Sequence, residues 1–360
     1  MTRRLIVNGR FLAGAPTAVN AVARSLTKAL AAWEGANSWQ VTVAIPPAAE
    51  AEAARDNLPY EVVGTRNGIG WEQVDLPAMR RHGVVTGFFN TVPLIGKGYV
   101  TMLHDAQVFT APQSYGRPTR AWRQLLSRRA GARGNRLLTV SDFSKDELVR
   151  LGIAPAERIG VVHNGLGAVV RETPDRSIIT RLDLSERSYG LALSSRLPHK
   201  NIDLLFKAFA DTRLTTCPLV LFGAPGRADF EAAGFAVPQN VMFAGRVSDA
   251  ELAALYAAAL AVLTPSTTEG FGLPPLEGMA HGTPAVVAPC GALPEVVGDA
   301  AHYATPDDPL AWADAVVALR NDSDLWADLA RRGRERASDF TWERAAEVTL
   351  AHLSGWFADR

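Results

Sequence analysis

Residues Thr264 to Glu277 read Thr-Pro-Ser-Thr-Thr-Glu-Gly-Phe-Gly-Leu-Pro-Pro-Leu-Glu. Ahead of them, Leu260 to Leu263 form a short apolar run that reads as a buried strand. Behind, Pro274 and Pro275 suit the first turn of a helix, where a missing backbone N–H costs little. Gly270 and Gly272 occupy the turn between, where backbone N–H groups can approach a ligand unobstructed. A strand that ends in a glycine turn at a helix N-terminus is an anion site, since free N–H groups and the helix dipole point outward. Two carboxylates flank it, Glu269 in the turn and Glu277 in the helix, eight positions apart. Acids beside a phosphate site repel phosphate and are better used to accept hydrogen bonds from hydroxyls. A ligand with phosphate in its middle and hydroxyl-rich rings at both ends is a nucleotide-sugar.

Those residues carry a resemblance. Glu269 and Glu277 match the Glu-x7-Glu signature of retaining GT-B glycosyltransferases of family 4 (group 1), and Gly282-Thr283-Pro284, Leu293-Pro294-Glu295-Val296 and Gly298-Asp299-Ala300 resemble landmarks of that family's donor domain. The resemblance implies that Glu269 contacts the transferred sugar and Glu277 the nucleotide ribose. It also places Gly270, Phe271, Gly272 and Leu273 against the donor.

A chain of 360 residues is long for one core, and about two domains of 150 to 180 residues are expected. With 48% hydrophobic and 21% charged residues the composition is that of a soluble globular protein. No run approaches the ~18 apolar residues of a membrane span, and Met1 to Val7 leads into polar Asn8-Gly9-Arg10 with no signal-peptide core. Cys217 and Cys290 supply neither a disulfide framework nor metal-ligand spacing, which fits a cytosolic chain. Charge sums to zero but is uneven. Residues 1–170 hold 20 Lys+Arg against 12 Asp+Glu, and residues 171–360 hold 17 against 25. The basic half is the one expected to meet an anionic partner.

Apolar runs at Leu5–Asn8, Val41–Ile45, Val84–Phe89, Val100–Leu103, Leu137–Val140 and Ile159–Val162 read as strands, with helical spacing at Ala18–Trp33 and Phe143–Leu151. The second half repeats the alternation. Strands are expected at Tyr189–Ser194, Pro218–Phe222, Val241–Ala244, Leu260–Leu263 and Ala285–Ala288, and helices at Ile202–Ala210 and Ala250–Ala258. Alternating strand and helix predict an α/β chain with two Rossmann-like, doubly wound parallel sheets. The boundary is expected within Gly165 to Arg187, giving residues 1–170 for an acceptor domain and 171–342 for a donor domain. In the family a last helix returns to the first domain, a role that residues 343–360 after Phe340-Thr341-Trp342 resemble.

Four further stretches carry candidate chemistry. Arg196 and Lys200, four apart in the turn Ser194–Asn201, match the family's Arg-x3-Lys pair and are expected to grip the departing diphosphate, where a good donor is worth about 3–4 kcal/mol. His104 follows an apolar run, and its imidazole could bond a sugar hydroxyl. Gly14 lies in Ala13-Gly14-Ala15, which replaces the family's usual glycine doublet and reads as a donor loop or a packing turn alone. Arg246, after a strand, resembles the segment bordering the nucleobase. The expected catalytic set is therefore His104, Arg196, Lys200 and Glu269. No metal or cofactor is expected, because Asp322-Ser323-Asp324 reads as a helix cap and the cations make a divalent ion redundant.

Arg117, Arg120, Arg123, Arg128, Arg129, Arg133 and Arg136 fall in one stretch without an acid, interleaved with Tyr115, Trp122, Leu125 and Leu126. This fits an anionic membrane surface or a polyprenyl-diphosphate-linked acceptor, or else a solvated helix face. Nucleic acid is not expected at a pI of about 7.1. The leading expectation is transfer of a hexose, first mannose from GDP-mannose, to a glycan or lipid-linked oligosaccharide in cell-surface polysaccharide synthesis. The alternatives are an epimerase or phosphorylase on the same fold, or a non-catalytic glycan-binding relative. A dinucleotide oxidoreductase lacks a Gly-x-Gly-x-x-Gly after the first strand.

Overall fold

Arg3–Asn8 forms β1, whose Leu5, Ile6 and Val7 are wholly buried, as expected of a strand covered on both faces. It belongs to one of two sheets in a computed structural model that describes residues 3–14, 17–33 and 39–358. Six more strands complete the first sheet: β2 (Trp39–Ile45), β3 (Tyr60–Val62), β4 (Val84–Gly87), β5 (Val100–Met102), β6 (Arg136–Thr139) and β7 (Ile159–Val161). All pair in parallel in the order 3-2-1-4-5-6-7.

The second sheet holds β8 (Gly190–Leu193), β9 (Leu219–Phe222), β10 (Val241–Gly245), β11 (Ala261–Thr264), β12 (Ala285–Val287) and β13 (His302–Tyr303). It too is parallel, in the order 10-9-8-11-12-13. Both units are thus α/β domains built on parallel sheets, as the alternation of strand and helix predicts.

Helix caps follow the sequence. Thr17 accepts a hydrogen bond from Asn20 N to open helix Ala18–Ala31, whose Val22, Leu26 and Leu30 are buried. Ser248 and Glu251 form a reciprocal capping box on helix Asp249–Ala258. Asp322 caps helix Ser323–Ala337 through Asp324 N and Leu325 N, so the Asp-x-Asp is structural.

The chain divides into residues 1–165 with 340–360, and 166–339. The first crossing lies five residues ahead of residue 170, because Val169 is buried in the second unit's core. The return lies three residues ahead of 343, because Phe340 meets the His163 ring and Trp342 packs on Gly165. Helix Trp342–Trp356 lies on helix Ala18–Ala31 of the first unit. The strands β3 and β13 escape the sequence reading. The three residues of β3 are all exposed, and β13 has only two residues, so neither carries an apolar run.

Candidate active site

Strands β8 and β11 are neighbours, and from them the second sheet grows in both directions. Beyond the C-terminal ends of such a pair lies the crevice where open parallel sheets bind ligands. The turns that follow these strands are laced together. Thr267 N donates to His199 O at 2.8 Å, and Asn201 Nδ2 donates to Pro265 O at 3.2 Å and Pro306 O at 2.8 Å. A third turn, after β12, supports them through Ala292 N donating to Glu269 O at 3.0 Å. Here Gly291 has φ +63°, and a Cβ on it would lie 2.4 Å from Glu269 N, so backbone conformation and space both call for glycine.

The centre of this arrangement is Glu269. Lys200 Nζ and Ser266 Oγ both donate to its Oε1 at 2.6 Å. Side-chain exposure is 22% for Lys200 and 12% for Glu269, so the pair is largely withdrawn from water yet reachable. A small cavity of about 20 Å³ lies against Lys200, Ser266, Glu269 and Pro274. Both bonds fall on Oε1.

Gly272, with φ +110°, precedes helix Leu273–Ala280. Pro274 and Pro275 stand in its first turn and remove two of the N–H donors that a helix start offers, leaving those of Gly272 and Leu273. Phe271 is buried, so its ring packs inward and only its backbone borders the turn. One helical turn on, Glu277 is 9% exposed. Tyr256 donates its hydroxyl to Oε2 at 3.1 Å, and Gly167 N–H donates to the same carboxylate. Burial pushes this carboxyl up to about 7.

Arg196 Nη1 donates to Asp229 O at 3.2 Å, while Lys200 pairs with Glu269. Arg196 lines an open cavity of about 460 Å³ with Ser194, Ser195, Gly223, Pro225 and Phe235, between the ends of β8 and β9. Arg246 is exposed after β10, two strands from β8 and so roughly 10 Å along the sheet.

The first unit holds His104 and Gly14. His104 is buried beyond β5, with Nε2 2.8 Å from Phe88 O, while Asn90 Oδ1 accepts from its backbone N–H at 2.8 Å. A carbonyl partner requires Nε2–H, and burial lowers the imidazole's pKa, so the ring is neutral with Nδ1 as the acceptor. His104 thus braces the turn after β4 through Nε2. Gly14 ends the turn Gly9–Ala13 with φ −93°, a conformation open to any residue. Ala15 and Pro16 of the same loop lie outside the described residues.

Residues 189–322 match the family described as Glycosyl transferases group 1, and residues 19–167 match Glycosyltransferase Family 4. The O-antigen chain mannosyltransferase B of Escherichia coli is 32% identical over 263 residues, covering 70% of this chain and 68% of that one. This chain belongs to the group 1, family 4 glycosyltransferases. A D-inositol 3-phosphate glycosyltransferase of Salinispora arenicola is 31% identical over 326 residues, covering 83% of the glycosyltransferase described here and 70% of the relative. Among solved structures, Anabaena HepE in complex with UDP-glucose superposes with a TM-score of 0.73 over 99% of this chain and 100% of that one, at 18% identity.

Several features of the two units were not anticipated. Gly223-Ala224-Pro225-Gly226 directly follows the apolar run of β9, a strand–turn signal of the same kind as the one at Glu269. Tyr256 and Gly167 lie 21 and 110 positions from Glu277, and no local pattern marks them. In the first unit, buried Glu72 accepts from Asn8 Nδ2 at 2.6 Å and from Thr91 Oγ1, and pairs with Arg10 at 3.4 Å. Asn8 and Arg10 stand at the end of β1, where that sheet also reverses. The basic stretch is helix Arg117–Ala130 and the turn after it, but it is not one free patch. Arg129 turns inward onto Leu94 O and Gly96 O, and Arg136 is part-buried. Arg117, Arg123, Arg128 and Arg133 are exposed, as are Trp122 (36%) and Leu125 (49%).

Proposed function

We propose that this glycosyltransferase moves a hexose with retention of anomeric configuration, without a metal ion, from a nucleotide-sugar to a glycan or polyprenyl-diphosphate-linked acceptor. Mannose from GDP-mannose is the first choice of donor, supported by the mannosyltransferase named among the relatives. The observation that carries the reading is Glu269 held through one oxygen by Lys200 and Ser266 at the point where the second sheet reverses.

The ammonium of Lys200 stands where a departing diphosphate gains negative charge, so it stabilises the transition state more than the bound donor. Glu269 Oε2 takes a hydroxyl of the transferred sugar, and Glu277 takes the ribose. Arg196 swings from the Asp229 carbonyl to the diphosphate. The C1–O bond to phosphate breaks as the C1–O bond to the acceptor forms on the same face. The acceptor's proton passes to the departing phosphate oxygen, which leaves no enzymatic nucleophile to assign. In the first unit His104 Nδ1 accepts from a hydroxyl.

No helix among the described residues is long and apolar enough to cross a membrane. The exposed arginines around Trp122 and Leu125 suit a cytoplasmic enzyme peripheral on an anionic membrane surface, near a lipid-linked acceptor.

Thermal-shift titration with GDP-mannose, UDP-glucose, GDP and UDP tests the donor class, since a ligand of the folded state raises the melting temperature with the logarithm of its saturation. GDP-mannose is expected to give the largest shift, unaltered by EDTA, and to yield a product of the donor's anomeric configuration by NMR. A shift dependent on magnesium would overturn the metal-free reading, and inversion would overturn retention.

A further inference from the structure

Glu277 is the most deeply enclosed acid of the site, and residues distant in sequence shape its surroundings. Tyr256, on helix Asp249–Ala258, donates its hydroxyl to Oε2 at 3.1 Å. From the other side the backbone of Gly167 donates to the carboxylate and lies so close that a Cβ there would fall 2.2 Å from Oε1. The carboxylate therefore has its plane set by donors from two elements.

We propose that Tyr256 is a positioning residue for the donor: with the Gly167 backbone it fixes the Glu277 carboxylate to receive the vicinal hydroxyls of a ribose, and ribose binding drives a proton off that carboxylate. The proposal rests on the reading above, in which the second unit binds a nucleoside diphosphate at Glu277. Burial favours the neutral acid in the empty site, with Asp249 adding to that effect and the Tyr256 and Gly167 bonds opposing it. Two ribose hydroxyls add donors to the charged form and so favour ionisation. The other titratable groups around the helix do not supply the proton. His281, one turn on, stacks on Tyr256 and is kept neutral by burial, and Arg334 of helix Ser323–Ala337 lies against Gly282. The strands beneath, β11 and β12, carry only Ala, Val, Leu and Thr.

Affinity should then rise with pH until the empty-site carboxyl is ionised, at about 7. Isothermal titration of the full chain with GDP and with UDP, from pH 5.5 to 8 and in buffers of different ionisation enthalpy, reads both affinity and protons released. For the nucleotide that binds, the expected result is about tenfold tightening over that range with release of up to one proton. The 2′-deoxynucleotide should bind at least tenfold more weakly at pH 8. Tyr256→Phe should move the midpoint to higher pH, because a donor to the charged form is lost; a packing role alone would leave the midpoint in place. Glu277→Gln should bind more weakly and without pH dependence. Gly167→Ala should also weaken binding. A flat profile, or an unmoved midpoint in Tyr256→Phe, overturns the proposal while weakened binding by Glu277→Gln keeps the site. Binding by Glu277→Gln as tight as by the parent chain, or no binding of either nucleotide, overturns the site assignment and the proposal together.

Discussion

Lys200 and Glu269 form an ion pair whose partners arrive from different turns, 69 positions apart. The pair is largely withdrawn from water yet reachable, and removing the cation leaves Glu269 with the Ser266 Oγ bond. Lys200→Ala should therefore lower turnover by about 10²–10³-fold with a smaller change in donor KM, as expected when a transition-state donor is lost. Steady-state kinetics with the nucleotide-sugar that gives the largest thermal shift check it. Glu277 acts on stability as well. Its carboxyl rises from the ordinary 4.5 to about 7 on folding, so between those values the folded chain holds a proton that the unfolded chain has released. Its contribution is complete below about pH 4.5 and is lost as pH climbs through 7, on the order of 3 kcal/mol in all. Denaturant unfolding at pH 5 and pH 8 should show this loss in the parent chain and not in Glu277→Gln. The types and spacing of these residues were legible in the sequence; their pairing was not. Arg196 and Lys200 sit four apart in one turn, yet Lys200 pairs with Glu269 and Arg196 with the Asp229 carbonyl, partners that no local spacing marks.

Helix Arg117–Ala130 shows how an element sorts a basic run. Seven arginines look alike in sequence, but helical phase turns Arg129 onto the Leu94 and Gly96 carbonyls while Trp122, Leu125 and Arg128 face solvent. Glutamine at Arg117, Arg123 and Arg128 together should weaken binding to vesicles containing phosphatidylserine, by roughly 1 kcal/mol per charge at low salt. Flotation measures it, with neutral vesicles as the control, and undiminished binding would make this helix a solvated face. Elements were readable where burial demands apolar runs, as in β1, β9 and β11. They were unreadable at the sheet edges β3 and β13, where pairing on one side suffices and the side chains need not be apolar.

At the scale of the molecule, the last helix completes the first unit from the far end of the chain. Trp342, Ala346, Leu350 and Leu353 are buried, and the helix lies on Ala18–Ala31. Ending the chain at Asp339 should expose that apolar face and destabilise residues 3–165, while residues 166–339 retain their own core. Hydrogen exchange should accelerate across β1 and β2 with little change at β8 and β11; equal loss in both units would contradict this independence.

The sequence by itself determined the alternation of strand and helix, the two sheets and the position of Glu269 at a strand end, because those depend on local propensity and on runs of apolar residues. Only the tertiary structure decided which side chains meet. Lys200 with Glu269, Tyr256 with Glu277, Gly167 against the same carboxylate and His104 with Phe88 are contacts set by the order in which parallel strands line up. That order brings β8 beside β11 across two intervening strands, and no pattern within a single segment encodes it.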